Sequence, residues 1–186
     1  MEISPQNTRI GFIGLGVMGH SMAGHILDSG YKVCVYTRTR SKADDLVKKG
    51  AVWAGTVRDL AENADVIISI VGYPRDVAQI YLDADGILEN AAAGSVAIDM
   101  TTSEPALART LAARGREKGI QVLDAPVSGG DLGARNATLS IMVGGEKAVF
   151  TELIPLLEVM GKNIVYQGPA GSGQHTKMAN QIAIAA

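Results

Sequence analysis

At 186 residues, with 47% hydrophobic and 19% charged content, the chain has the size and apolar fraction of one globular domain plus a small appendage. A net charge of −2 gives no basic surplus for nucleic acid, and the longest strongly apolar stretch, residues 66–71, is far too short to cross a bilayer. Cys34 is the single cysteine, so no internal disulfide can form; residues 1–8 lack a signal-peptide pattern, and a cytoplasmic protein is expected.

The first element is an apolar run at 9–13, which reads as a buried strand. It leads directly into Gly14-x-Gly16-x-x-Gly19, after which Met18, Met22, Ile26 and Leu27 recur at helical spacing and predict a helix over 17–28. Strand, glycine turn and helix in that order are the context of a dinucleotide fingerprint. Gly14 permits a tight turn, Gly16 lets backbone approach a pyrophosphate, and Gly19 lets helix and strand pack closely. The helix N-terminus offers free N–H groups and a positive dipole end to phosphates.

A second strand at 32–36 buries Cys34 between Val33 and Val35, then runs into Thr37-Arg38-Thr39-Arg40. An NAD fingerprint carries an acidic residue at about this point, roughly 20 residues past the glycines. Here no carboxylate occurs until Asp44, and two arginines with two hydroxyls suit a 2′-phosphate, Arg38 being the better placed. NADP is therefore the expected cofactor, with NAD as the alternative; a solvated polar loop is the other reading of these residues.

Helices at 42–48 and 57–62, a strand at 66–70, a helix at 77–82 and a strand at 95–98 follow. Ser103 is expected to cap a helix over 105–118 that has Pro105 in its first turn. The strand at 121–123 leads into Asp124-Ala125-Pro126-Val127-Ser128-Gly129-Gly130, where a hydroxyl beside exposed backbone N–H groups suits a carboxylate. A strand at 139–143, a helix at 146–160 with Pro155 expected to kink it, and a strand at 164–166 complete the alternation. Strands separated by helices indicate parallel βαβ units, hence a doubly wound α/β domain with a mostly parallel sheet over 1–168.

Residues 169–186 read as a glycine loop opening a further helix. Its apolar end, from Ile182 onward, has nothing evident to cover it, so the chain is expected either to be a piece of a longer protein or to bury this helix against a partner. Lys177 lies on this helix with Asn180 and Gln181 at i+3 and i+4. A lysine with its pKa lowered by partial burial can exchange a proton with an alcohol or carbonyl oxygen. The remaining polar residues have plainer readings. His175 is structural or solvent-exposed, His20 and His25 are surface or packing residues, Asp99 steadies its own turn, and Asp124 supports the loop before Pro126. Tyr73 either covers a cofactor or packs. No metal is expected.

Four ordered motifs, Phe12-Ile-Gly-Leu-Gly-Val-Met-Gly19, Asp124-Ala-Pro-Val-Ser-Gly-Gly130, Thr138-Leu-Ser-Ile-Met-Val-Gly-Gly145 and Gly171-Ser-Gly-Gln-His-Thr-Lys177, closely resemble the β-hydroxyacid dehydrogenase family. That family includes 3-hydroxyisobutyrate dehydrogenase, tartronate semialdehyde reductase and glyoxylate/succinic semialdehyde reductase, with 6-phosphogluconate dehydrogenase more distant. The resemblance implies a Rossmann-type domain followed by the start of an interdomain helix, with an all-helical second domain, not present in this chain, completing the substrate pocket. It implies that Gly14, Leu15, Gly16, Val17 and Met18, in the turn closed by Gly19, hold the pyrophosphate, and that Val71, Gly72, Tyr73, Pro74 and Val77 line the adenosine and pyrophosphate side; Thr37, Arg38 and Thr39 are expected at the cofactor from their own chemistry, as above. Thr102 would lie near the nicotinamide ribose. Ser128, Gly129 and Gly130 would hold a small carboxylate substrate, and Lys177 would be the acid/base. Many members carry asparagine four residues after the lysine; here that position is Gln181, with Asn180 before it, which leaves the substrate subclass open. The implied activity is NADP-dependent hydride transfer to or from a small 3-hydroxy acid or its semialdehyde or 2-oxo acid, in a homo-oligomer. The alternative is a non-catalytic NAD(P)-binding module serving as a sensor or interaction domain.

Overall fold

The structure, a computed structural model, describes residues 3–185; Met1, Glu2 and Ala186, at the outer ends of the expected 1–168 and 169–186 segments, lie outside the described residues. The strands alternate their side chains between two apolar layers, and this alternation builds the domain. In β1 (Arg9–Ile13), Ile10 and Phe12 face one layer and Ile13 the other. In β4 (Val66–Ser69), Val66 and Ile68 share the first layer while Ile67 joins the second; in β5 (Val96–Asp99), Val96 and Ile98 oppose Ala97 in the same way. Strands apolar on both faces need helices on both sides. The first layer is covered by α1 (Gly19–Asp28), α2 (Asp44–Lys48) and α8 (Lys147–Leu157) through Met22, Ile26, Leu46, Phe150 and Leu153. The second is covered by α3 (Val57–Ala61), α4 (Pro74–Leu82), α5 (Ile87–Asn90) and α6 (Pro105–Glu117) through Leu60, Val77, Tyr81, Ile87 and Leu111. Each such side chain, fully buried, contributes about 1.5–3 kcal/mol.

With β2 (Lys32–Tyr36), β3 (Val52–Trp53) and β6 (Gln121–Asp124), the spatial order is β3-β2-β1-β4-β5-β6, all parallel. The chain winds outward from β1 to β3, then crosses back to place β4 on the other side of β1. Ligands in such sheets bind at that reversal, outside the carboxyl ends of the strands. The order continues with β8 (Leu139–Gly144) and β7 (Val127–Ser128), and β9 (Gly161–Gly168) runs parallel to β8.

The expectation of mostly parallel pairing holds, with a difference at this edge. β8 is antiparallel to both β6 and β7, because β7 and the short helix α7 (Gly130–Arg135) turn the chain around between them. β3, β7, α5 and α7 are elements that the sequence pattern did not predict. Two expectations about helix ends change. Glu104, not Ser103, stands at the N-cap of α6, and the Ser103 hydroxyl is buried without a hydrogen-bond partner among the described residues. The helix expected over 146–160 is α8, which holds Pro155 inside it and ends at Leu157. The final helix, α9 (Ser172–Ala185), packs against β8, β9, β6 and α6 and leaves Ile182 and Ile184 exposed, as expected of that apolar end. No described helix is long and apolar enough to cross a membrane.

Candidate active site

The glycine turn is built by close approach. Gly14 has a φ of +99°, and a Cβ there would lie 2.1 Å from the Ile70 carbonyl oxygen; one on Gly19 would lie 1.9 Å from the Gly14 carbonyl oxygen. Both glycines are therefore required by the protein's own backbone. Gly16 differs: nothing among the described residues lies within 4 Å of where its Cβ would stand. The protein leaves that position open on the side of the cleft, which is where a phosphate group would approach the backbone. α1 carries no acidic residue in its first turn and no side-chain cap, so its N-terminal donors remain directed at the cleft.

The cleft has a volume of about 900 Å³ and runs along the carboxyl ends of β1, β2 and β4. Leu15 to Gly19, Thr37, Arg38, Thr39, Val71 and Gly72 all line it, as expected. Lys42, Thr56, Gln79 and Ile80 line it as well and were not anticipated, since Lys42, Gln79 and Ile80 belong to segments whose pattern signals only helix and Thr56 caps the helix that follows it. Three expected residues do not. Val77 is fully buried in the second core layer, because α4 presents Gln79 and Ile80 to the cleft and Val77 to the sheet. Pro74 is the first residue of α4 and lies outside the lining; the Tyr73 ring is 62% exposed and rests near the Arg75 guanidinium. Neither Tyr73 nor Pro74 is part of the cleft lining.

At the end of β2, Arg38 is 81% exposed and pairs with Asp76 at 3.6 Å. Asp76 also accepts the Tyr73 N–H at 3.1 Å, which anchors it at the start of α4. Arg40, the other arginine of this loop, stacks over Trp53 and pairs with Asp44 at 2.8 Å, so it is engaged away from the cleft.

A second cavity of about 580 Å³ continues the first, sharing Met18, Ile70, Val71 and Gly72 with it. Its walls bring together Thr102, Ser128, Gly129, Gly130, Lys177 and Gln181, residues from three separate segments. Asn180 is set behind this wall, its Nδ2 donating to the Ser128 Oγ at 3.4 Å. Gly129 and Gly130 both have positive φ, +128° and +59°, which turns the backbone from β7 into α7 at the cavity edge. Lys177 is 7% exposed, and burial holds its ammonium below the usual lysine range. Lowered in this way, it is a stronger acid than a surface lysine.

The other singled-out polar residues have structural roles. Asp99 accepts hydrogen bonds from Ser69 Oγ (3.0 Å) and the Thr101 N–H (3.1 Å), as a turn-steadying residue would. His25 Nε2 lies 3.0 Å from the Ala134 and Arg135 carbonyl oxygens, and exposed His175 lies 3.4 Å from Arg109. Asp124 does more than support its own loop: its carboxylate receives N–H groups of Gly171 and Gln174. No cluster of metal-ligating side chains occurs among the described residues.

Comparison with known proteins agrees with this geometry. The family described as the NAD binding domain of 6-phosphogluconate dehydrogenase matches residues 9–168. An uncharacterized oxidoreductase, YkwC, of Bacillus subtilis is 62% identical over 177 residues, 95% of this chain and 62% of that protein. The structure of Mycobacterium tuberculosis 3-hydroxyisobutyrate dehydrogenase with L-serine superposes with a TM-score of 0.90 at 33% identity, covering 96% of this chain and 60% of that one. That of Psf3 in complex with NADP+ and 2-OPP gives 0.89 at 35% identity, covering 94% and 62%. The chain thus spans about three fifths of the length of these relatives.

Proposed function

This chain belongs to the family of 6-phosphogluconate dehydrogenase NAD-binding domains, and from that premise we propose that it holds NADP(H) and catalyses reversible reduction of a small semialdehyde or oxo acid to the hydroxy acid. The observation that carries the proposal is Lys177: a buried ammonium lining the same cavity as Ser128, Gly129 and Gly130, next to a cleft that starts from the glycine turn. The open position at Gly16 and the undecorated N-terminus of α1 fit a pyrophosphate, and Arg38 with Thr37 and Thr39 fits a 2′-phosphate. When bound, the nicotinamide supplies or accepts the hydride.

The residues of the chain do the rest. The Ser128 hydroxyl, held by Asn180, and the backbone turn at Gly129 and Gly130 anchor the substrate carboxylate. Thr102 bounds the cavity on the side of β5 and fixes where the carbonyl can lie. Lys177 as the ammonium donates its proton to the oxygen as negative charge develops there; in the oxidative direction the amine takes the hydroxyl proton back. Burial favours both directions, since it brings the lysine closer to the working pH. The segment 169–186 then serves as the start of a helix joining this domain to the remainder of the protein, where a subunit interface would also lie. Lys177→Ala in the whole protein should lower turnover about 10²–10⁴-fold, with NADPH affinity nearly unchanged by fluorescence titration. Near-native turnover in that variant would remove the lysine from the chemistry.

A further inference from the structure

We propose that the buried carboxylate of Asp124, acting with the Gln174 side chain, is the device that sets the position of Lys177, which makes Asp124 a positioning residue for the proton transfer assigned above; the inference rests on that reading. Asp124 ends β6 and is 3% exposed. Its Oδ1 accepts the Gly171 N–H at 2.7 Å and its Oδ2 accepts the Gln174 N–H at 2.9 Å, so both oxygens grip the opening of α9. Lys177 lies three residues beyond Gln174, on the same side of the helix one turn on. Fixing the backbone at 171 and 174 therefore fixes the root of the lysine.

Gln174 adds a second attachment. It is 1% exposed, its Oε1 accepts the Ser103 N–H at 2.8 Å, and its Nε2 donates to the Thr101 carbonyl at 2.7 Å. That ties α9 to the loop after β5, whose Thr101 and Thr102 line the same cavity as Lys177. The glycines around the carboxylate follow from the same design. A Cβ on Gly173 would lie 2.3 Å from the Met142 carbonyl oxygen and 2.9 Å from Asp124 Oδ2; one on Gly144 would lie 2.6 Å from Asp124 Oδ1. The Gly171-Ser172-Gly173 loop is therefore shaped to close α9 onto Asp124 rather than to receive a ligand.

An ordinary N-cap needs only one acceptor, which an exposed serine or asparagine supplies without desolvating a charge. Here burial pushes the Asp124 carboxyl above its usual range despite the N–H groups it receives. A group that costs stability yet holds two points of one helix is suited to precise placement, and misplacement of a reacting group by about 1 Å can cost 10²-fold in rate.

The test uses Asp124→Asn, which retains one acceptor, and Gln174→Met, which removes the second attachment while leaving the carboxylate in place. In the whole protein, lysine side chains are labelled by 13C reductive methylation, and the Lys177 signal is identified by its loss in Lys177→Ala. We expect the Lys177 titration to move up toward the ordinary lysine range in both variants, the pH profile of kcat to move with it, and NADPH affinity to stay nearly unchanged. If Asp124→Asn does not fold, Gln174→Met carries the test alone. A Lys177 titration unchanged in the folded variants would overturn the proposal, as would NADPH affinity falling in step with kcat. Should Lys177→Ala keep its turnover while the titration still responds, the positioning stands and the catalytic assignment fails.

Discussion

The Asp99 carboxyl is fully buried at the end of β5, where loss of water pushes its pKa from 3.8 up to about 6. The folded protein thus holds this proton more tightly than the unfolded chain does. Below 3.8 both states are protonated and there is no penalty; as pH rises from there to about 6 the unfolded state ionises first, and stability falls. The loss is on the order of 3 kcal/mol. Asn at 99 keeps an acceptor for Ser69 and Thr101, both of which bond the same Asp99 oxygen, and it has no charge to bury. Asp99→Asn should therefore be more stable than the parent at neutral pH and should lose the decline across that window. Urea midpoints measured through the window check this, and a decline of unchanged size would mean another group causes it. Arg38 poses the opposite case, an exposed charge with a weak tie. An exposed ion pair contributes about 0–1 kcal/mol, so Asp76 at 3.6 Å leaves the guanidinium free to turn toward a phosphate. A charge-assisted hydrogen bond is worth roughly 1.5–3 kcal/mol, so Arg38→Asp should weaken NADPH binding about ten- to hundredfold while sparing NADH. Equal losses for both, read by titration, would assign Arg38 no part in discrimination.

The β1–turn–α1 element separates two uses of glycine that its sequence cannot distinguish. Gly19→Ala forces a Cβ against the Gly14 carbonyl oxygen, so it should destabilise the fold, by about 1–3 kcal/mol as overpacking does. Gly16→Ala meets nothing within 4 Å, so the fold should be unaffected while cofactor binding drops sharply. Thermal melts and NADPH titrations on the two variants check the contrast; a Gly16→Ala protein that binds normally would show that no ligand approaches there. This element was legible in the sequence because strand, turn and helix signals are all local and agree. β3 was not, since two residues at a sheet edge carry no periodicity. Nor was α7, because its Gly129-Gly130 start reads as loop, while the positive φ at both glycines only turns the backbone into the helix. The chain's reversal at β8 was hidden for the same reason. Lys177, Ser128, Gly129 and Gly130, singled out from their motifs, line one cavity, because each motif marks its own loop or helix start. Val77 was misplaced because residue spacing gives a helix face without saying which face meets the cleft. Asp124's partners lie 47 and 50 residues away, a distance at which no sequence period operates.

Across the whole molecule, the cleft spans the reversal point of one continuous sheet, with its glycine-turn end on β1 and β2 and its lysine end on α9, beyond β5 and β6. Both core layers attach to those same strands. A ligand held along the cleft therefore cannot stabilise one half alone, and its binding free energy should appear in the stability of the entire domain. At a hundred times its Kd, a ligand bound only by the folded state adds about 2.7 kcal/mol. For a domain of this size that corresponds to a rise in Tm of roughly 5–10 °C. NADPH should produce such a rise in a single transition, NADH at the same concentration a smaller one, and the Gly16→Ala protein none. Two separate transitions, only one of them moving with NADPH, would mean that the two ends of the cleft do not fold as a unit. No shift with either nucleotide would mean that the open glycine position faces some other ligand, and the hydride chemistry proposed for the neighbouring cavity would lose its source.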